Sequence, residues 1–163
     1  HWIGIAGIAS IKAKLGIEKT IFTHTLLSLT LHDAFIACWD EKYRSDRVRP
    51  ETVINRHMDK FWSPLLQTPP FPEYVSGHSV VSTASAKILS QIFGSKFRFR
   101  DTTEKEFGLK TRTYQSFEQA AEEACISRLY GGIHYMDAID EGIWQGEQVA
   151  DFILDKTKAH FPF

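Results

Sequence analysis

The sequence predicts an all-α fold, a helical bundle, on three observations. Apolar residues recur at three- and four-residue spacing along most of the chain. Helix-start signatures stand where these runs begin, and glycines or prolines stand where they end. The 163 residues suit one domain with one core, and 43% hydrophobic content supplies that core and excludes a disordered polymer. The formal net charge of -1 gives no global field for nucleic acid or an anionic membrane, so any anion site must come from a local cluster.

The first expected helix, Trp2 to Leu15, closes at Gly16. Trp2, Ile3, Ile5, Ile8 and Ile11 make it apolar nearly all round, so it is expected to be buried on every side, against a partner or against N-terminal segments outside the chain. Residues 1–163 are accordingly expected to be a single catalytic domain, the C-terminal part of a longer protein. The second helix runs from about Glu18 to Lys42. Its apolar stretch, Ile21 to Trp39, is interrupted by His24, His32 and Asp33, so no transmembrane segment is expected and the protein is expected to be soluble. Arg49-Pro50 breaks the pattern, because the residue before proline avoids helical geometry while proline itself can open a helix. A short helix from Glu51 to about Lys60 should follow, then an extended loop at Thr68-Pro69-Pro70-Phe71-Pro72.

Ser76-Gly77-His78 opens a helix that stops at Gly94. Lys96-Phe97-Arg98-Phe99-Arg100 alternates as a short strand or extended arm, and reads as a solvated edge rather than a nucleic-acid surface. Ser116-Phe117-Glu118-Gln119 is a capping box for a helix to about Tyr130, Gly131-Gly132 breaks it, and a last helix spans about Asp137 to Lys158. Cys38 and Cys125 fall in helices without metal-like spacing and read as buried free thiols.

Three islands carry chemistry. In the first, Lys42 ends a helix and Arg49 lies on the extended stretch before Pro50, so a compact ammonium and a planar fork can approach one point from different directions. In the second, Ser76 and Gly77 offer a hydroxyl and a close-approaching amide at a helix N-terminus, where anions bind, and His78 can exchange a proton near neutral pH. In the third, Arg128 is a cation in an apolar turn that needs a partner, and His134 follows the glycine pair. His24, His32, His57 and His160 have no motif around them; His32-Asp33 and the His134, Asp137, Asp140 spacing also suit a divalent metal, which the neighbouring cations would oppose.

In order, the islands read lysine, six residues, Arg-Pro; then Ser-Gly-His; then Ser-Arg, five residues, His. This resembles the three-part signature of the superfamily of vanadium-dependent haloperoxidases and type 2 phosphatidic acid phosphatases. The text around the motifs, Cys38 to Ser45 and Ser127 to Met136, is most similar to the soluble bacterial haloperoxidase-like branch. The resemblance implies a bundle with the oxyanion pocket among its helices and vanadate as cofactor, or phosphate in the same place. It implies that Lys42, Arg49, Ser76, Gly77 and Arg128 bind the oxyanion, that His78 is the acid/base, and that His134 bonds vanadium or attacks phosphorus.

Two positions depart from the family pattern. Val75 stands where a proline often precedes Ser-Gly-His, and Ala138 where an aspartate often lies four residues after the last histidine. Asp137 or Asp140 is expected to orient His134 instead, or else a backbone carbonyl or a residue elsewhere in the chain. The expected function is halide oxidation by hydrogen peroxide at a histidine-bound vanadate. The alternatives are an acid phosphatase working through a phosphohistidine and a non-catalytic oxyanion-binding domain. Expected partners are small-molecule substrates, with no nucleic acid, and either a second copy or the missing N-terminal segments.

Overall fold

The computed structural model of the protein describes residues 1–160, of His160 the backbone only. Six helices follow one another: α1 (Trp2–Lys12), α2 (Ile17–Ser45), α3 (Pro50–His57), α4 (Gly77–Phe93), α5 (Phe117–Tyr130) and α6 (Met136–Thr157). Pro50 occupies the first turn of α3, as its fixed φ and missing N–H allow. Ser76 caps α4 by accepting from the Ser79 N–H, and Ser116 caps α5 by accepting from that of Gln119. Gln119 reaches back to accept from the Gln115 N–H, closing the box.

The alternating stretch resolves into a small antiparallel hairpin, β1 (Phe99–Asp101) with β2 (Arg112–Tyr114). β2 is too short for alternation to announce it. Phe99 and Tyr114 pair across the hairpin, and the Phe99 ring stacks on Phe117 of α5, which joins the strands to the core.

α4 is the centre of the bundle, packed on α2, α5 and α6. Small residues let α6 approach it closely: a Cβ at Gly142 would stand 2.8 Å from the Ser79 Cβ, and one at Gly146 2.5 Å from the Val80 carbonyl oxygen. One cluster, with Leu26, Cys38, Val80, Ile88 and Ile153, fills the space between α2, α4 and α6. A second, with Trp2, Ile5, Leu27, Leu89, Phe99 and Phe117, seats α1 and the hairpin.

Within this chain α1 buries one face: Trp2, Ile5, Ala6 and Ala9 face the core, while Ile3 and Ile11, on the face expected to meet other segments, are 40% and 80% exposed. Its partner on the buried side is this chain's own α2, α4 and β1. α2, uninterrupted by Pro or Gly, is by length and composition alone apolar enough to cross a membrane. The core helix of a bundle passes the same test, and α2 packs on α1, α4 and α6.

Candidate functional site: a histidine among three cations

The site forms where the end of α2, the start of α4, the end of α5 and the turn before α6 meet the irregular segment 63–76. Asp46, in the left-handed conformation with φ 46°, ends α2 and turns the chain so that Arg49 faces back toward Lys42. Gly132, at φ 75°, makes the turn that delivers His134; a side chain there would also press on Trp62 and Pro64.

His134 is 5% exposed. Its Nδ1 lies 2.7 Å from Glu73 Oε1, and its Nε2 lies 3.1 Å from Arg49 Nη1, 85 residues away in sequence. A guanidinium can only donate, so Nε2 is the accepting nitrogen and Nδ1 carries the hydrogen given to Glu73. The lone pair of Nε2 thus points into the cationic side of the site.

Arg49 is held by carbonyl groups. Its Nε donates to Phe71 O at 3.0 Å, its Nη1 to Ile133 O at 2.8 Å and its Nη2 to Pro72 O at 3.3 Å. Lys42 is fully buried, and its ammonium donates to the carbonyls of Pro72, Glu73 and Val75 at 3.1, 3.0 and 2.5 Å. All three ammonium hydrogens are therefore committed to the 72–75 backbone. Burial, with Arg49 nearby, pushes Lys42 down to about 8. Phe71 stacks beneath both cations, and Trp39 tilts against it.

Arg128 donates from Nε to Ser127 Oγ at 3.0 Å, and its Nη1 lies 3.4 Å from His78 Nε2. His78 sits at the rim, in contact with solvent. Desolvation of the ring, then the charges of Arg128, His134 and Lys42, push it down to about 4, so it is neutral at pH 7. His134 is also lowered, by burial against the pull of Glu73 and with the repulsion of Arg49 and Lys42. Ser76 is fully buried beside these groups, and Gly77 opens α4, so its N–H has no partner within the helix. Lys42, Arg49, Ser76, Gly77, His78, Arg128 and His134 are thus gathered at one place.

Asp137 and Asp140 are not with them. Both are exposed, and Asp137 pairs with Arg47. The carboxylate on His134 is Glu73, fully buried and 61 residues earlier, which also accepts from the Tyr135 N–H at 3.1 Å. Burial works to raise the Glu73 carboxyl, but its hydrogen bonds from His134 and Arg47 outweigh that and hold it low. Glu73 lies in a proline-rich loop with no motif, so the one available signal was negative: the family's usual aspartate position is Ala138. Asp137, one residue before it, is exposed and pairs with Arg47.

Cys38 and Cys125 are buried free thiols, and burial pushes Cys38 up to about 11, so it is no nucleophile at neutral pH. Among the described residues no group of three or more His, Cys, Asp or Glu side chains is arranged for a metal cation. His24, His32 and His57 lie on α2 and α3 outside the site; the His160 side chain lies outside the described residues.

Among the described residues, none of Lys42, Arg49 and Arg128 forms a salt bridge; the charge of Glu73 reaches Lys42 and Arg49, but its carboxylate is bound by His134 and Arg47.

A family profile described as the VCPO second helical-bundle domain matches residues 22–162. A curated vanadium-dependent bromoperoxidase from Corallina officinalis is 32% identical over 99 residues, covering 55% of this chain and 17% of its own length. The crystal structure of a bacterial vanadium-dependent iodoperoxidase superposes with a TM-score of 0.94 at 56% identity, over 96% of this chain and 38% of that one. A holo-type bacterial vanadium-dependent chloroperoxidase shares the fold, with a TM-score of 0.79 at 23% identity over 98% and 41%. The chain thus spans well under half the length of these relatives.

Proposed function

The chain belongs to the family of VCPO second helical-bundle domains, and from that premise we propose that it carries the vanadate site of a haloperoxidase that oxidises halide with hydrogen peroxide. The observation that carries this reading is His134. Its Nδ1 is tied to Glu73 and its Nε2 lone pair faces cations that have no acid partner. Metal-binding histidines are fixed in this way, by a carboxylate on the far nitrogen.

Vanadate, when bound, would supply a Lewis acid that activates hydrogen peroxide toward a halide. Every other role falls to side chains. His134, through Nε2, would hold the vanadium. Arg49 and Arg128 hold the oxyanion, with the Ser76 hydroxyl and the Gly77 N–H. Lys42 adds charge rather than hydrogen bonds, because its ammonium anchors the 72–75 backbone. His78, neutral at pH 7 and beside Arg128, would accept a proton from a peroxide and return it. The names of the relatives, an iodoperoxidase and a bromoperoxidase, support peroxidase chemistry for the whole protein.

One observation favours a second reading. A histidine oriented by a carboxylate is also the arrangement of a nucleophile, so the Glu73–His134 pair suits a phosphatase that forms a phosphohistidine. Elemental analysis for vanadium, with halide oxidation and phosphate-ester hydrolysis assayed with and without orthovanadate, decides among the readings. Peroxide-dependent halide oxidation that needs orthovanadate and is lost in His134→Ala is the expected result. A phosphohistidine trapped at His134, with no oxidation in saturating vanadate, would replace it by the phosphatase; neither activity would leave a non-catalytic oxyanion-binding domain.

A further inference from the structure

Arg47 lies between the fixed positions of the first island, and none of the roles assigned above uses it as more than a partner of Glu73. Its surroundings are unusual for a residue of a basic turn. Its guanidinium meets Glu73 Oε2 through Nε and Nη2, both at 2.6 Å. From the adjoining edge, sharing Nη2, Nη1 and Nη2 fork onto Asp137 at 2.7 and 2.8 Å. Its Cζ lies 4.8 Å from the ring centre of Tyr74 and 5.0 Å from that of Tyr135. The Glu73 N–H, in turn, donates to the Arg47 carbonyl at 2.9 Å. Side chain and backbone of Arg47 therefore both hold Glu73.

We propose that Arg47 is a positioning residue of the site: it fixes Glu73 so that Oε1 faces His134 Nδ1, and thereby fixes the tautomer that leaves the Nε2 lone pair turned to Arg49. Glu73 has two oxygens with separate duties. Oε2 is occupied by Arg47, which leaves Oε1 for His134 and the Tyr135 N–H. Without Arg47 the carboxylate can turn about its last torsion and share its oxygens differently, and the imidazole loses its fixed acceptor. Lysine cannot replace this residue, since one ammonium offers neither two carboxylate-binding edges nor a plane to lie between two tyrosines. Asp137 and the two rings hold the outer end of the clamp at a surface cleft lined by Arg47, Val48, Tyr135 and Asp137. The tautomer claim stands on its own, while its bearing on vanadate rests on the function proposed above.

The test is nitrogen-15 NMR of histidine-labelled chain, which distinguishes the two imidazole tautomers, paired with equilibrium dialysis of orthovanadate. His134→Gln identifies the signals. Wild type is expected to show a single tautomer with hydrogen on Nδ1. Arg47→Met is expected to show a mixture, or hydrogen mainly on Nε2, and to bind orthovanadate roughly 10- to 100-fold more weakly. Should Arg47→Met fail to fold, Arg47→Lys gives the same comparison with the charge kept, and a mixture is again expected. Asp137→Asn, which leaves the Glu73 contact in place, is expected to keep the wild-type tautomer. A folded Arg47 variant with the pure Nδ1–H tautomer would overturn the proposal, as would wild-type chain already showing a mixture. If the tautomer shifts in the Arg47 variants but wild type binds no orthovanadate, the positioning role holds and the proposed function fails.

Discussion

The two nitrogens of His134 answer to groups of opposite character, a carboxylate on one side and a guanidinium on the other. Replacing Glu73 by Gln keeps the size and an accepting oxygen but removes the charge that supports the imidazole as a ligand. Glu73→Gln is expected to weaken orthovanadate binding roughly 10- to 100-fold in equilibrium dialysis, and undiminished binding would remove Glu73 from the site. His78 responds to charge in a different way. Its folded pKa is pushed down to about 4, so between the ordinary histidine range and that value the unfolded chain takes a proton that the folded chain refuses. Stability should therefore fall as pH drops through that window, and His78→Gln should flatten the fall in urea midpoints measured from pH 7 to pH 4. An equal fall in the variant would assign the effect to other groups. The cations and histidines of this site could be read in the sequence because each sits in a short block with a structural reason: a helix end, a pre-proline residue, a helix start, a glycine pair. Glu73 could not. Its reach to His134 is set by the path of residues 63–76, a segment without periodicity, and only packing decides where such a loop places its one acid.

Helices carry these residues to the meeting point, and α6 packs closely on α4 through Gly142 and Gly146. Gly146 brings α6 so near that a methyl group would stand 2.5 Å from the Val80 carbonyl oxygen, a backbone atom that cannot rotate away. The same helix holds the start of α4 through the Ala138 carbonyl, which accepts from the Ser76 N–H at 2.8 Å. Gly146→Ala should therefore lower stability by about 1–3 kcal/mol in urea unfolding, although alanine is the better helix former. A stability equal to or above wild type would mean that the helices separate freely. The ends of α3, α4 and α5 were legible because proline and serine act locally, through a missing N–H and a capping oxygen. Burial was less legible. α1 looks apolar on every side, and within this chain the face of Trp2, Ile5, Ala6 and Ala9 packs on the core, because composition records hydrophobicity and not which face meets which neighbour. β2 escaped notice because three residues, Arg112-Thr113-Tyr114, hold too little pattern; its pairing with β1 is a tertiary event.

At the scale of the whole molecule the near-zero net charge conceals a strong local imbalance. Among the described residues, Lys42, Arg49 and Arg128 have no salt bridge, while the single buried acid beside them is already bound by Arg47. Burial lowers all three cations, which means that the folded chain holds them charged at some expense of stability. An anion that binds the folded chain alone must then stabilise it, by about 2.7 kcal/mol when present at a hundred times its dissociation constant. Inorganic phosphate added at constant ionic strength should accordingly raise the urea midpoint of the wild-type chain in a saturable way, and orthovanadate should do the same. Phosphate also stabilises proteins generally by exclusion from their surface, an effect that does not saturate and does not depend on one arginine. Arg128→Met separates the two. It removes a half-buried cation that has no acid partner, so the anion-free variant should be at least as stable as wild type, and the saturable response should vanish while the weak linear one remains. A saturable response of equal size in Arg128→Met would show that the anion binds elsewhere, and the assignment of this cluster as the oxyanion site would have to be abandoned.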